Sequence, residues 1–407
     1  MSTLAEERAE YDYLQTPRAV RDRCDAVLER ARASELEHWS LHEARLAEVS
    51  TRVLAVTRSL YPDLSRIPYH GRYRHFDVGG VPRLAQFAAK IGPLSGDDQL
   101  AARFELVISS VLLDAGAGDS WRYRALDGGV YARSEGLAVA SYELYANGGL
   151  GGSASAPRAD AAGLAQLSTE ALARAFQVSE ENPLTGLEGR ADLLRRLGKL
   201  VADTPEFFAR AGEAPRLGNL GLYLARDARA GRLPASAILR AVLEALGPIW
   251  QGRPRLAGKS LGDVWRHSRL GFIPFHKLSQ WLTYSLFEPL EAAGLVIEGA
   301  DELTGLAEYR NGGLFLDSGV LALKDPAASG LRHAVDSELV IEWRALTVAL
   351  LDRVAAAIRA DLGVSSAELP LARILEGGTW RAGRVIALEK RSAGGPPLLI
   401  DSDGTVF

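Results

Sequence analysis

A chain of 407 residues, 47% of them hydrophobic and 24% charged, can bury a large core, and its length alone allows two or three domains. Its formal net charge of −4 comes from interspersed charges of both signs, which leaves no basic footprint and argues against nucleic acid as a partner. The one cysteine, Cys24, excludes an internal disulfide and a cysteine-cluster zinc site and fits a reducing compartment. The start, MSTLAEERAEYDY, is charged and lacks an apolar core, so no signal peptide is expected. No apolar run approaches the ~20 residues of a membrane span, and a cytoplasmic protein without membrane contact is the expectation.

In chain order, Thr16 and Pro17 form an N-cap and N1 pair for a helix with Val20, Cys24, Val27, Leu28 and Ala31 on one face. Leu46, Val49, Val53, Val56 and Leu60 mark a second amphipathic helix that Pro62 ends. His38 and His42 precede it at a spacing that chelates metals on helices. Trp39 stands where a zinc protease needs Glu, and no third ligand is in view, so both histidines are expected at the surface. YHGRYRHFDVGG (69–80) packs His70, Arg72, Arg74, His75 and Asp77 into a stretch too polar and Gly-rich for a core helix, and reads as a loop. The segment 97–115 is apolar on every side from Val107 to Leu113, which predicts a central helix.

NGGLGGSASAP (147–157) contains a GxGxxA pattern but follows a helical stretch and is interrupted by Pro157, so it reads as a connector rather than a dinucleotide fingerprint. Thr185 and Glu188 match a capping box for a helix bearing Leu193, Leu194, Leu197 and Val201, and 234–246 is a further helix. GRPRLAGKS (252–260) has five residues between its glycines and Pro254 inside the would-be cradle, which removes the phosphate-loop reading. LGDVWRH (261–267) then places Asp263, Arg266 and His267, where solvent exposure explains them as well as catalysis does.

The residues with most chemistry fall in three stretches. PFHKLSQW (274–281) opens an amphipathic helix with Lys277, Gln280, Tyr284 and Glu288 on one face and Leu278, Leu282 and Leu286 on the other. LTGLAEYRNGG (303–313) sets Glu308, Tyr309, Arg310 and Asn311 before a glycine pair expected to bend the chain. SELVIEWRALTVALL (337–351) predicts a buried helix, continuing to about residue 361, that nevertheless carries Glu338, Glu342 and Arg344. Trp281 and Trp343 are expected in the core. After a further helix over 369–375, RVIALEK (384–390) and PLLIDSDGTVF (397–407) have strand-like content around SAGGP, which suggests a small hairpin. LLIDSDGT mimics the nucleophile motif of haloacid-dehalogenase-type phosphatases, but only three residues follow Gly404, so it is read as a tail packing on the body. About a dozen helical segments, without βαβ alternation or a fixed-period repeat, place the chain in the mainly all-α class. The expectation is a single multihelical domain over 1–407, with 384–407 as a C-terminal β-hairpin and tail.

These three stretches, with YHGRYRHFDVGG, LLDAGAGDSWRYR (112–124), RSEGLAVAS (133–141), NPLTGLEGRADLLRRLG (182–198) and IDSDGTVF (400–407), resemble the uracil catabolism protein four family over nearly the whole chain. That family, of bacteria and fungi, was long filed as a domain of unknown function. A more distant likeness is to the queuosine-salvage nucleosidases, helical enzymes that hydrolyse an N-glycosidic bond. It rests on FxKxxQ around Lys277, an acidic-Tyr-Arg triplet at Glu308, and an ExxIxR-like spacing ending at Arg344. It is partial: Glu308 stands where the remote family has Asp, and Asn-Gly-Gly replaces a Pro-containing run.

Hydrolysis of a ribosyl C–N bond passes through an oxocarbenium-like transition state. The site must offer negative charge near C1′, a base for water and a donor to the departing nitrogen. Glu308, between residues able to orient it, is the candidate for the first two roles. Glu342 is a candidate donor, although an ion pair with Arg310 or Arg344 explains it equally. The resemblance implies that Lys277 meets a 5′-phosphate, with His276 and Tyr309 positioning ribose hydroxyls or a ureido group. Gln280, Arg310, Arg344 and, from the 69–80 loop, His75 complete the expected substrate-binding set. The family's route makes uracil into a nucleotide, opens the pyrimidine and ends in urea and a three-carbon acid. The resemblance therefore implies an N-glycosidase-type hydrolase splitting ribosylurea, or its 5′-phosphate, into urea and ribose or ribose phosphate. Its partner is then a small ribosyl or ribosyl-phosphate molecule, and neither metal nor other cofactor is expected. The alternatives are a metal-dependent amidohydrolase acting on the ring-opened uridine derivative, and a non-catalytic scaffold of the pathway; no metal cluster and no Ser or Cys nucleophile pattern is evident for the former.

Overall fold

A computed structural model describes residues 3–401. Among the described residues are seventeen α-helices and six two-stranded sheets, so the mainly helical class holds. The chain divides into two compact units where the sequence suggests one domain. The first comprises Met1–His70, Gly252–Trp281 and Gly299–Phe407, and the second Gly71–Gln251 and Leu282–Glu298. No charge run marks these crossings. No helix among the described residues is long and apolar enough to cross a membrane.

In the first unit, Thr16 caps the Pro17–Arg32 helix, its hydroxyl accepting from the Ala19 N–H at 3.1 Å, with proline at N1 as the sequence suggests. The Leu46–Leu60 helix also forms where its apolar stripe predicts. Both pack against Glu338–Leu362, a 25-residue helix buried on nearly all sides of its first half. Trp343 on that helix stacks on Trp39 with ring centroids 6.2 Å apart, and the Trp39 indole donates to the Leu339 carbonyl at 3.0 Å. Trp39–Leu41 is a strand paired antiparallel with Leu321–Leu323, so His38 and His42 do not share a helix face and the chelating spacing has no geometric meaning. GRPRLAGKS forms a short antiparallel hairpin, Arg255–Leu256 with Lys259–Ser260, and not a phosphate loop.

Among the described residues no C-terminal hairpin is formed. Residues 384–390 belong to the helix Trp380–Lys390, whose buried Ala382, Gly383, Ile386 and Ala387 recur at helical spacing. Val385 and Leu388, which give that stretch its strand-like look, are exposed. Leu399–Asp401 pairs parallel with Arg332–Ala334, and the remainder of the expected second strand, 402–407, lies outside the described residues. Gly383 is required where it stands: a Cβ there would lie 2.3 Å from the Arg310 carbonyl oxygen, on the neighbouring Tyr309–Asp317 helix. Gly383→Ala should therefore force the two helices apart and cost roughly 1–3 kcal/mol, measurable as a fall in the urea midpoint at unchanged slope.

In the second unit, the central Gly96–Leu112 helix is buried from Ala101 onward apart from Arg103. Its one buried acid, Glu105, takes a bidentate pair from Arg216 at 2.7 and 2.9 Å and a hydrogen bond from the Tyr145 hydroxyl at 2.8 Å, a closed arrangement that satisfies the charge. The expected capping box at Thr185 is absent. The Leu187–Asp203 helix starts from Gly186 in the left-handed region with φ 70°, and the Thr185 backbone is bonded to Ala117 and Arg190 instead. Where the sequence reads as a loop over 69–80, Arg72–Gly80 is a kinked 3-10 segment, and Arg72 is fully buried against Ser110, Ser134 and Asp114. His75 lies beside Arg72 at 3.4 Å in this second unit, whereas His70 ends the initial segment of the first unit.

Candidate functional site

PFHKLSQW runs into the Lys277–Ala292 helix. Its expected polar face is in fact buried at Gln280 and Tyr284, while Lys277 is only half-buried. A left-handed His276, with φ 48°, turns the chain into the helix. The His276 ring lies inside the protein, its Nε2–H donating to the Leu14 carbonyl at 2.8 Å, and burial lowers its pKa. Gln280 is likewise committed to backbone: its amide nitrogen donates to the Phe275 carbonyl and to the Thr304 hydroxyl, and its oxygen accepts from the Thr304 N–H at 2.8 Å. Both residues therefore position the 303–308 segment and the helix start.

That segment delivers Glu308. Leu303, Thr304, Leu306 and Ala307 are all buried, and Glu308 is 7% exposed as the N-cap of the Tyr309–Asp317 helix. N-caps are ordinarily short Ser, Thr, Asp or Asn. Here the extended backbone at Glu308 lets the longer side chain fold back. Its Oε2 accepts the Arg310 N–H at 2.7 Å and its Oε1 the Asn311 N–H at 2.6 Å. Burial raises the carboxyl above the usual glutamate range, against the pull of those two amides and of the Lys277 and His70 charges. The glycine pair does not bend the chain: Gly312 and Gly313 sit inside the helix. A Cβ at Gly312 would come 2.8 Å from the Trp343 ring, whose indole donates to the Gly312 carbonyl.

His70 is the residue that reading from sequence passes over in favour of His75. Its Nδ1 lies 2.7 Å from Glu376 Oε2, and both side chains are largely buried. Glu376 comes from a π-helical turn, Leu375–Thr379, between Leu371–Ile374 and the Trp380–Lys390 helix, and such turns favour functional positions. The two glycines after Glu376 explain the turn's placement. A Cβ at Gly378 would lie 2.5 Å from Thr57 and Val53, so only glycine lets the turn press onto the Leu46–Leu60 helix. The available signal is an acid followed by Gly-Gly inside an otherwise helical stretch.

A second charged group flanks Glu308. Arg344, fully buried, makes two hydrogen bonds of 2.7 Å to Asp263, lies over the Phe275 ring at 4.1 Å and reaches the Ala307 carbonyl at 3.4 Å. Asp263 also accepts the Lys277 N–H at 3.0 Å and the Trp265 indole at 2.8 Å. Burial alone would raise its pKa, but the Arg344 charge and these hydrogen bonds outweigh that and hold it at about 2. Arg310 donates to the Gly394 carbonyl and lies over the Tyr309 ring. Arg344 pairs with Asp263 and Arg310 with the Gly394 carbonyl, whereas the Glu342 carboxylate, offered as the partner of either arginine in the ion-pair reading, meets His267 at 3.5 Å. His75 belongs to the other unit.

The first unit therefore holds a buried acid at a helix N-terminus under the influence of a lysine and a carboxylate-bound histidine. That arrangement can take a proton from water and offer negative charge to a cationic carbon. Comparison with known proteins gives the chain's kin. It is 40% identical over 398 residues to "Protein urg3" of Schizosaccharomyces pombe, covering 95% of this chain and 96% of the relative. It is 35% identical over 410 residues to "Uracil catabolism protein 4" of Lachancea kluyveri, covering 91% and 92%. A family profile matches residues 13–407, and on that span the chain belongs to the family described as "Protein of unknown function (DUF1688)".

Proposed function

We propose that this protein acts in uracil catabolism as an N-glycosidase, hydrolysing the C1′–N bond of ribosylurea or its 5′-phosphate. Kinship with a protein named for uracil catabolism supports the pathway. The observation that carries the reaction class is Glu308: a buried carboxyl of raised pKa, held by two backbone amides at a helix start. In the reaction, water adds to C1′ as the C1′–N bond breaks. Glu308 takes the water proton and its negative charge stabilises the oxocarbenium-like carbon. The departing urea nitrogen receives a proton, and His70 is the donor: Glu376 accepts from Nδ1–H, which leaves Nε2 to carry and return the proton. The balance is ribosylurea plus water to ribose plus urea.

Lys277 serves two ends, as a point charge for a 5′-phosphate and as one of the cations that lower the Glu308 pKa. Lys277→Met should raise KM for the phosphorylated substrate far more than for ribosylurea. The same change removes a charge that favours ionised Glu308, so the acid limb of the kcat/KM profile should move to higher pH. Urea release measured against pH for both substrates tests this. An unmoved limb with equal KM changes removes Lys277 from the site, and no urea release by the unaltered protein rejects the reaction itself.

A further inference from the structure

We propose that His267, Glu338 and Glu342 form a binding site for one first-row divalent cation, independent of the glycosidase reading. His267 lies on the strand Val264–His267, which pairs antiparallel with Gly271–Pro274, while Glu338 and Glu342 are one turn apart on the first turns of the Glu338–Leu362 helix. The His267 Nε2 is 3.3 Å from Glu338 Oε1 and 3.5 Å from Glu342 Oε1, and the three potential ligand atoms all lie within 4.8 Å of one another. Zinc-type bonds of about 2.0–2.2 Å place tetrahedral ligand atoms ~3.4 Å apart, so both edges from the imidazole already have the span a bound cation requires.

The polar accounting points the same way. His267 and Glu342 are each only 2% exposed, yet His267 Nε2 and Glu342 Oε2 are buried with no hydrogen-bond partner. The nearest guanidinium along the helix, Arg344, is taken by Asp263. Two carboxylates thus converge on one imidazole while a buried carboxylate oxygen goes unpartnered, a costly arrangement that a cation resolves. Glu338 completes the picture: its side chain is 31% exposed, which gives an ion an entry path and leaves a coordination position for water. The Ser268 hydroxyl donates to Glu338 Oε1 at 2.6 Å and holds the carboxylate in place.

One imidazole and two carboxylates suit zinc, manganese or iron(II) rather than soft cuprous copper. The Arg269 N–H donates to His267 Nδ1 at 3.1 Å, which places the imidazole proton on Nε2 in the cation-free chain. Binding shifts that proton to Nδ1 and gives up the Arg269 contact, so the affinity falls short of a dedicated three-histidine site. The occupied site ties the 264–274 hairpin to the start of the long helix, the element that carries Arg344.

Full-length protein stripped with chelator and titrated calorimetrically with zinc, then manganese, should bind one equivalent. Saturation should raise the melting temperature by roughly a few degrees. Glu342→Gln and His267→Ala should each weaken binding about a hundredfold or more, and half-exposed Glu338→Gln serves if those two fold poorly. Failure of either ion to bind at millimolar concentration overturns the site. So does stoichiometric binding that Glu338→Gln and Glu342→Gln leave unchanged, since the ion would then be held elsewhere.

Discussion

Replacing Glu308 by glutamine should lower kcat on ribosylurea 5′-phosphate by roughly two to four powers of ten while changing KM little. The amide cannot take a proton from water and brings no negative charge to C1′. Glutamine also keeps one oxygen for the Arg310 or Asn311 N–H but turns an NH2 toward the other, so the cap weakens. That part of the effect should stay near 1 kcal/mol of stability, the usual worth of an N-cap, and a melt on the same sample separates it from catalysis. Restored activity with Asp would not be expected, because the shorter side chain cannot span from the same backbone to both amides and the sugar. A scaffold protein would lose only the cap, so unchanged pathway flux in cells carrying Glu308→Gln would point to that role instead.

Arg344→Met should destabilise the protein by roughly 3–5 kcal/mol at neutral pH, because it strands the buried Asp263 carboxylate rather than merely deleting a contact. The double variant Asp263→Asn with Arg344→Met should recover much of that loss, which a denaturant cycle at one temperature reads directly. The sign with pH follows from the shift. In the unaltered protein Asp263 falls from an ordinary 3.8 to about 2 on folding, so its contribution is complete above pH 3.8 and is lost as pH falls through about 2. In Arg344→Met, burial dominates and the carboxyl titrates upward, so protonation now favours the fold. The deficit of the single variant should therefore narrow on acidification and vanish earliest where Asp263 becomes neutral. A deficit independent of pH would mean that Arg344 acts through packing on Phe275 alone.

The helices most legible from the sequence are those whose apolar residues repeat along one stripe or whose caps are local, such as Pro17–Arg32 and Leu46–Leu60. The misread segments depend on contacts far away in the chain. Residues 384–390 have the side chains of a strand, but a glycine at 383 lets them pack as a helix on Arg310, a pairing no local window contains. The 69–80 stretch looks solvated because it is polar, yet Arg72 finds its hydroxyl and carboxylate partners from 110 to 134.

The candidate site was readable in part for the same reason. The sequence singles out Glu308 by the residues able to orient it and by a glycine pair expected to bend the chain; the bend is absent, and the burial of Glu308 goes with that of Leu303, Leu306 and Ala307 before it. His276 and Gln280, in the 274–281 stretch, look like ligands, but their polar atoms serve Leu14 and Thr304. Glu376 could not be singled out, because its partner His70 lies 306 positions earlier and the π-turn that presents it leaves only a Gly-Gly trace. From sequence, solvent exposure explains His267 as well as catalysis does, since nothing in a strand of four residues announces that two glutamates of a later helix close on it.

The most direct measurement is product analysis on ribosylurea 5′-phosphate with purified protein. Cleavage at C1′ predicts urea and ribose 5-phosphate in equal amounts with no ammonia formed. Ammonia and carbon dioxide in place of urea would mean that the carbonyl carbon, and not the sugar, is attacked, and would contradict the role given to Glu308.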